Sequence, residues 1–477
     1  MTEKKDQPIN HSGRDMTVGS IPRHLIMFSL PMLAGNAIQT AYGFVNAFWV
    51  GKKLGEGPLA AVTSSFPVIF LLMAVAMGLT MGTSILVAQF AGAREWDRMR
   101  KVIQTSTVLL AFVGALFMFI GLVFAADIMK MMDTPRSIYP MAVSYLKIYI
   151  LSMPAMFGLF LVASALRGVG DSKTPLYFQI SALVATAVLD PVLMFGWLGS
   201  PRFGLNGTAI ASVGTQWVAV IALMIYLARK NNIASPDWRR LYIDWPTCWL
   251  IFKIGLPSVV QQSLVSLGMI FVITIINGFG QAATAAFGVG MRIDQIAFMP
   301  ALTFGGSVSM LVGQNIGAGL THRAKQVFTW GIIVCGSISV VFAIIALTVP
   351  HFMVNIFLDE PQGFAIAVNY LRIMAISYLF FSVLFVANGV LNGAGYTFIT
   401  TLISLVGLYV ARVPLAYYLS NKMGHVEGVF YAMTISNFVS MSLALGCYLS
   451  GFWKKPIIKH RTQSEFAEDV EPIPVMD

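Results

Sequence analysis

Val87-Ala88-Gln89-Phe90-Ala91-Gly92-Ala93 returns as Val312-Gly313-Gln314-Asn315-Ile316-Gly317-Ala318, 225 positions further along a chain of 477 residues. The same offset carries Tyr145-Leu146-Lys147-Ile148 onto Tyr370-Leu371-Arg372-Ile373, and Leu166-Arg167-Gly168-Val169-Gly170 onto Leu391-Asn392-Gly393-Ala394-Gly395. Near the start of each half, Leu30-Pro31 matches Leu256-Pro257 at an offset of 226. One architectural unit is therefore written twice, in the same direction. In a membrane, parallel repeats of this kind form two lobes related by an axis along the membrane normal, with a cavity between them that can open to either side.

Composition says that the setting is a membrane. The chain is 57% hydrophobic and only 11% charged, whereas soluble domains carry about a quarter of their residues charged. Apolar runs recur near 25–50, 57–85, 102–124, 141–164, 174–198, 206–228, 249–276, 283–310, 327–349, 365–388, 396–420 and 428–452. Each is long enough for the about 20 helical residues that cross the hydrocarbon layer. The expected fold is all-α and polytopic, with about twelve transmembrane helices in two six-helix lobes. The expected divisions are a cytoplasmic segment 1–23, a first lobe 24–230, an inter-lobe linker 231–248, a second lobe 249–453, and a disordered cytoplasmic tail 454–477. No cleavable signal peptide is evident at the start.

Orientation follows from lysine and arginine placement. Of the 31 basic residues, 21 fall in segments that are cytoplasmic if the N-terminus is inside, and six in the opposite loops. Lys147, Arg292, Arg372 and Arg412 lie within spans. Both termini are expected in the cytoplasm. The net charge of +10 is thus topogenic, and nucleic acid is discarded as a partner. Cys248, Cys335 and Cys447 have no paired spacing, which argues against a disulfide framework and against a metal site. No GxxxxGK[ST], HExxH or GxSxG occurs, so ATP hydrolysis and intramembrane hydrolysis are not expected, nor is a cofactor.

One charged side chain, Asp190, lies between Lys173 and Arg202, and Pro191 follows it. A carboxylate at mid-membrane costs about 3 kcal/mol or more, so an acid retained there marks a functional site. The proline removes a backbone donor and is expected to weaken the helix. In the first span, Gln39, Tyr42 and Asn46 recur at spacings of three and four, which puts two amides and a phenol on one face. Thr186 sits one turn before Asp190, and Thr208 lies just inside the sixth run. Projected onto the second half, Gln39, Tyr42 and Asn46 fall on Val265, Gly268 and Val272, and Asp190 on Val413. The scaffold repeats but this acid and its amides do not, which places the chemistry in the first lobe. Arg292, Asp294 and Arg412 are secondary candidates, expected as a structural network. Arg167 and Asp171 are expected to organise or gate a loop, and Gln89 and Gln314 to tie span ends to loops.

These motifs, with Leu166-Arg167-Gly168-Val169-Gly170-Asp171, Met291-Arg292-Ile293-Asp294 and Arg412-Val413-Pro414, make the chain resemble the multidrug and toxic compound extrusion (MATE) family over about residues 20–453. Within that family it is similar to the DinF-like branch. The resemblance implies a two-lobed antiporter that exports amphipathic, often cationic compounds against inward protons or sodium. It also implies a monomer in lipid, in a bacterial-type inner (plasma) membrane. Gln39, Tyr42, Asn46, Thr186, Asp190 and Thr208 would line the cation-responsive site. Asn46 stands where the family usually has aspartate, and Thr186 where the branch often has asparagine. One carboxylate is left, and a sodium site loses a formal charge, which favours protons. A lipid or lipid-linked oligosaccharide flippase of the same superfamily is the alternative. It would need a hydrophilic, commonly cationic cavity, and few interior bases are present.

Overall fold

The computed structural model describes residues 13–237, 241–358 and 360–455, the side chains of Phe44 and Ala47 aside. The first twelve residues, part of the linker, and the tail expected to be disordered (from 456) lie outside the described residues.

The described residues form helices and no β-strand. The first lobe contains α1 (Ile21–Trp49), α2 (Glu56–Gly92), α3 (Trp96–Met131), α4 (Tyr139–Ile150), α5 (Met153–Gly168), α6 (Lys173–Phe195) and α7 (Leu205–Arg229). The second contains α8 (Trp245–Asn277), α9 (Gln281–Gly317), α10 (Thr321–Thr348), the short α11 (Pro350–Asn355), α12 (Pro361–Gly393), α13 (Thr397–Leu405), α14 (Val413–Met423) and α15 (Glu427–Leu449). A π-helical stretch, Val406–Arg412, joins α13 to α14 as one span. Among the described residues, ten helices are long and apolar enough to cross a membrane, and the bent pair α4–α5 makes up to eleven. α1 has the length, 29 residues, but carries Asn36, Gln39, Thr40 and Asn46. Its match to α8 makes it the first span. Exposed aliphatic and aromatic side chains such as Phe112 and Phe119 of α3, or Val341 and Ile344 of α10, are those a hydrocarbon solvent would cover.

Where the halves differ, the sequence gives the reason. The fourth span of the first lobe is bent by 45° between α4 and α5, and Pro154 stands at the start of α5. Proline cannot donate to the preceding turn. Its counterpart in the repeat is Leu379, and α12 runs unbroken through that position. At Pro191 the expectation is corrected: α6 continues through the proline and stops at Gly196, which adopts a left-handed conformation. The last turn around Asp190 is held by packing, since Asp190, Pro191 and Met194 are all buried.

The lobes meet where α2 and α9 end. A Cβ on Gly92 would lie 1.9 Å from the carbonyl oxygen of Gln314, and one on Gly317 would lie 1.9 Å from that of Gln89. Only glycine allows this mutual approach. Gln89 donates from Nε2 to the carbonyl of Gly393 (2.7 Å), and Gln314 to that of Gly168 (2.8 Å). The two glutamines therefore tie each lobe to the helix end of the other, not to loops of their own lobe. A single apolar cluster spans this junction, with Leu25 and Leu86 from one lobe and Phe304, Val308 and Leu391 from the other.

The polar N-terminal segment is also part of the junction. Met16 is 1% exposed. Its amide donates to Gln314 Oε1 (3.1 Å), and its carbonyl accepts from Asn315 Nδ2 (3.3 Å). Arg323 donates to the carbonyl of Gly19 (3.0 Å), and Asp15 faces Arg94 at 3.6 Å. Residues 13–19 thus form a strap across both lobes. Higher up, Ser29 donates to Ser307 (2.7 Å) and Asn36 to Thr303 (3.1 Å). All of these cross-lobe bonds lie in the half of the bundle that carries the strap. The repeat offset assigns Leu241 to the position of Met16, but Leu241 is exposed, and among the described residues Gln89 Oε1 is left buried without a hydrogen-bond partner.

Candidate functional site

Asp190 lies on α6 with 1% of its surface exposed. Two side chains of α1 reach it. Tyr42 donates its hydroxyl to Asp190 Oδ2 at 3.1 Å, and Asn46 donates Nδ2 to the same oxygen at 3.0 Å. The spacing of four puts both on one face of α1, as the sequence implies. The other carboxylate oxygen, Oδ1, is buried and has no hydrogen-bond partner among the described residues. A buried acceptor left unmade costs about 1–3 kcal/mol, more when charged. An oxygen in that condition is one that a proton or a small cation relieves.

The remaining expected residues divide. Thr208 is buried and donates to the carbonyl of Leu205 (3.0 Å). Its hydroxyl also faces Tyr145, whose ring lies in the field of Asp190. Thr186 is turned away from the acid. Its hydroxyl meets that of Thr215 at 2.7 Å, tying α6 to α7. Gln39 is exposed and accepts from Gln179 Nε2 at 3.2 Å. The structure therefore brings Tyr42, Asn46 and Asp190 together, leaves Thr208 at the edge, and separates Gln39 and Thr186 from the carboxylate.

Several residues join the chamber that sequence reasoning missed. Ser212 faces the Tyr42 hydroxyl, Tyr145 and Tyr149 stack with ring centroids 6.1 Å apart, and Gln216 faces Tyr149. A signal for Tyr145 existed, because it opens one of the repeated motifs. The arrangement offers one carboxylate surrounded by phenols, hydroxyls and amides. Among the described residues, no three His, Cys, Asp or Glu side chains gather as a metal site would need.

The second lobe holds a buried acid of its own, the secondary candidate Asp294. Asp294 on α9 is 4% exposed. Tyr378 donates to its Oδ1 at 2.8 Å, and Tyr370 donates to its Oδ2. Tyr370 is the repeat counterpart of Tyr145. Arg412, at the end of the π-helical stretch, donates to Ser436 Oγ (2.9 Å) and to Asn437 Oδ1. Its charge lies in the field of Asp294, but the acid's hydrogen bonds come from the phenols. Arg292 is exposed and takes no part in the cluster. The expected network of Arg292, Asp294 and Arg412 is thus a phenol-capped carboxylate beside a separately anchored guanidinium.

Comparison with known proteins agrees with this architecture. The family model described as MatE matches the chain twice, over residues 31–192 and 257–418. The chain is 33% identical over 467 residues to a probable multidrug resistance protein, YoeA, of Bacillus subtilis, covering 97% of this chain and 98% of that one. It is 29% identical over 440 residues to a second such protein, YpnP, of the same organism, covering 92% and 97%. Among solved structures, an outward-facing multidrug resistance MATE transporter of the MOP superfamily superposes with a TM-score of 0.86 at 21% identity. The match covers 93% of this chain and 99% of that one.

Proposed function

The chain belongs to the MatE family of multi-span membrane transporters, and from that premise we propose that it is a secondary active antiporter coupled through Asp190. In this reading it belongs to the DinF-like branch and acts as a monomer in the plasma membrane. It exports amphipathic, often cationic small molecules in exchange for protons. The relatives named as multidrug resistance proteins support the substrate class. A single carboxylate at the coupling site favours protons over sodium.

The observation that carries the coupling role is the unequal treatment of the two oxygens of Asp190. Oδ2 is held by Tyr42 and Asn46, while Oδ1 is sealed in without a partner. Gaining or losing a proton changes what that site asks of its neighbours. Because both donors sit on α1, the change reaches the helix that also carries the cross-lobe bonds of Ser29 and Asn36. Coupling site and lobe junction thus share one helix.

Orientation by the basic loops puts the strap, and with it both termini, on the cytoplasmic side. The lobes are then shut toward the cytoplasm, and the opposite end is the one free to open. The cycle follows from two-state logic. A proton binds Asp190 from outside, substrate leaves outward, the junction opens inward, and the proton is released to the cytoplasm. Each charge moved across 100 mV is worth about 2.3 kcal/mol. One proton exchanged for one monovalent cation is electroneutral, so the pH gradient supplies the work.

The test is efflux of a cationic dye from proteoliposomes under separately imposed proton and sodium gradients. The Asp190→Asn variant is expected to insert and fold but to lose proton-driven efflux. Undiminished efflux from that variant would exclude Asp190 as the coupling group.

A further inference from the structure

Arg167 ends α5 in the strap half of the first lobe. Its sequence neighbour Asp171 is not its partner. Asp171 Oδ1 accepts from the amides of Lys173 and Thr174 (3.0 Å each), and Oδ2 accepts from the Thr174 hydroxyl (2.7 Å). That carboxylate starts α6 and is fully used. Among the described residues, the Arg167 guanidinium has no hydrogen bond and no ion pair, although the side chain is largely enclosed. Its nitrogens are not sealed in the packing, and the residue lines a cavity of about 40 Å3.

The other polar groups of that cavity are Asn36, Gln179 and Ser172, and the apolar walls include Pro31 and Leu176. Among the described residues, no acidic side chain lines it. Asn36 uses Nδ2 toward Thr303, and Gln179 uses Nε2 toward Gln39. Each amide nitrogen retains a second N–H. Arg167, two amides and a hydroxyl therefore line one cavity from α5, α1 and the start of α6. An enclosed cation without a counter-charge is costly, and an Arg fork backed by further donors is the usual answer to an oxyanion. A water needs about 10–15 Å3 by the same measure. The cavity therefore accepts a compact group, not the body of a drug.

We propose that the Arg167 cavity is a binding site for one phosphate-type oxyanion. Donors from several directions suit a tetrahedral anion better than a planar carboxylate. The site lies eleven residues along α6 from Asp190 (Gln179 to Asp190), about 16 Å at 1.5 Å per residue, so it is separate from the coupling chamber. It also stands independently of any role for Asp190. The anion has two possible sources, free phosphate and the headgroup of an anionic phospholipid reaching between α1 and α6.

The full-length protein in uncharged detergent is melted, with tryptophan fluorescence as the readout, in sodium phosphate and in sodium chloride of equal ionic strength. A parallel arm uses nanodiscs of phosphatidylcholine with and without phosphatidylglycerol. A ligand that binds only the folded protein raises its melting temperature. Phosphate is expected to stabilise the wild type, Arg167→Gln to weaken binding by about tenfold or more, and Arg167→Lys to keep part of it. Stabilisation by phosphatidylglycerol alone, lost in Arg167→Gln, assigns the site to lipid and also supports the proposal. If neither ligand distinguishes wild type from Arg167→Gln and Arg167→Lys, the proposal is wrong.

Discussion

The two junction glutamines are a built-in comparison, because they are related by the repeat but not equally served. Gln314→Ala removes the bond to the Gly168 carbonyl and strands the Met16 amide. Gln89→Ala removes only the bond to the Gly393 carbonyl, and it deletes an Oε1 that is already without a partner. Each buried group left unsatisfied costs about 1–3 kcal/mol. The expected penalties on the strap-closed state are therefore about 1 kcal/mol for Gln89→Ala and roughly 2–4 kcal/mol for Gln314→Ala. These bonds exist only while the strap end is shut, so the penalties shift the population toward the state open at that end. At about 1.4 kcal/mol per tenfold, the expected shifts are about fivefold and about thirtyfold or more.

The assay is pulsed electron resonance between spin labels at Leu198 and Met423. These residues follow α6 and end α14, at the end of the lobes away from the strap. Native Cys248, Cys335 and Cys447 are replaced first. A population with a shorter distance is expected to grow in the order wild type, Gln89→Ala, Gln314→Ala. Deleting residues 2–19 removes Met16 and should bring the two variants close together, which a double-mutant cycle measures directly. Equal effects of the two substitutions in the full-length chain would refute the strap's part in the junction. No effect from either would refute the junction itself.

Two further outcomes test the polar clusters. Asn46→Asp places a second carboxylate beside Asp190, where Asn46 now donates at 3.0 Å. It should make dye efflux respond to an imposed sodium gradient, measured in the same proteoliposomes, because a pair of acids restores the charge that a sodium site needs. Tyr378→Phe strands one oxygen of Asp294 and should lower unfolding stability by about 1–3 kcal/mol, read as a drop in melting temperature. Proton-driven efflux per folded molecule should persist.

Much of the fold was legible because membrane spans and a parallel repeat are written in local sequence. Even the bend between α4 and α5 can be read from Pro154 against Leu379. The strap was not legible, since a polar N-terminal segment says nothing about the carbonyls it will meet, and nothing in the sequence distinguishes the buried Met16 from the exposed Val18 two residues on. The glutamines were recognised as a repeated pair, but a repeat cannot say whether equivalent residues bond within a lobe or across to the other one. At the site, helical spacing found Tyr42 and Asn46 and pointed to Asp190. The same spacing also included Gln39 and Thr186, which face Gln179 and Thr215. A helical face is about 100° wide, too coarse to separate a contact from its neighbour one turn away.

Comparison of like positions does not pair the two acids. Asp190 corresponds to Val413, and by the 225 offset Asp294 corresponds to Ile69. Each lobe therefore has its carboxylate where the other has an aliphatic residue, on a different helix. Their surroundings then separate what each can do. Both oxygens of Asp294 are engaged by phenols within a packed apolar cluster, so any change at that acid has to break bonds already made. Asp190 keeps one oxygen unengaged, and its two donors sit on α1, the helix that bridges to α9 through Ser29 and Asn36. Of the two, Asp190 is the acid whose change of state meets the least local resistance, and its donors put it in touch with the junction through α1. On the proposed coupling role of Asp190, the lobes differ less in which of them carries a carboxylate than in which carboxylate is left incompletely satisfied.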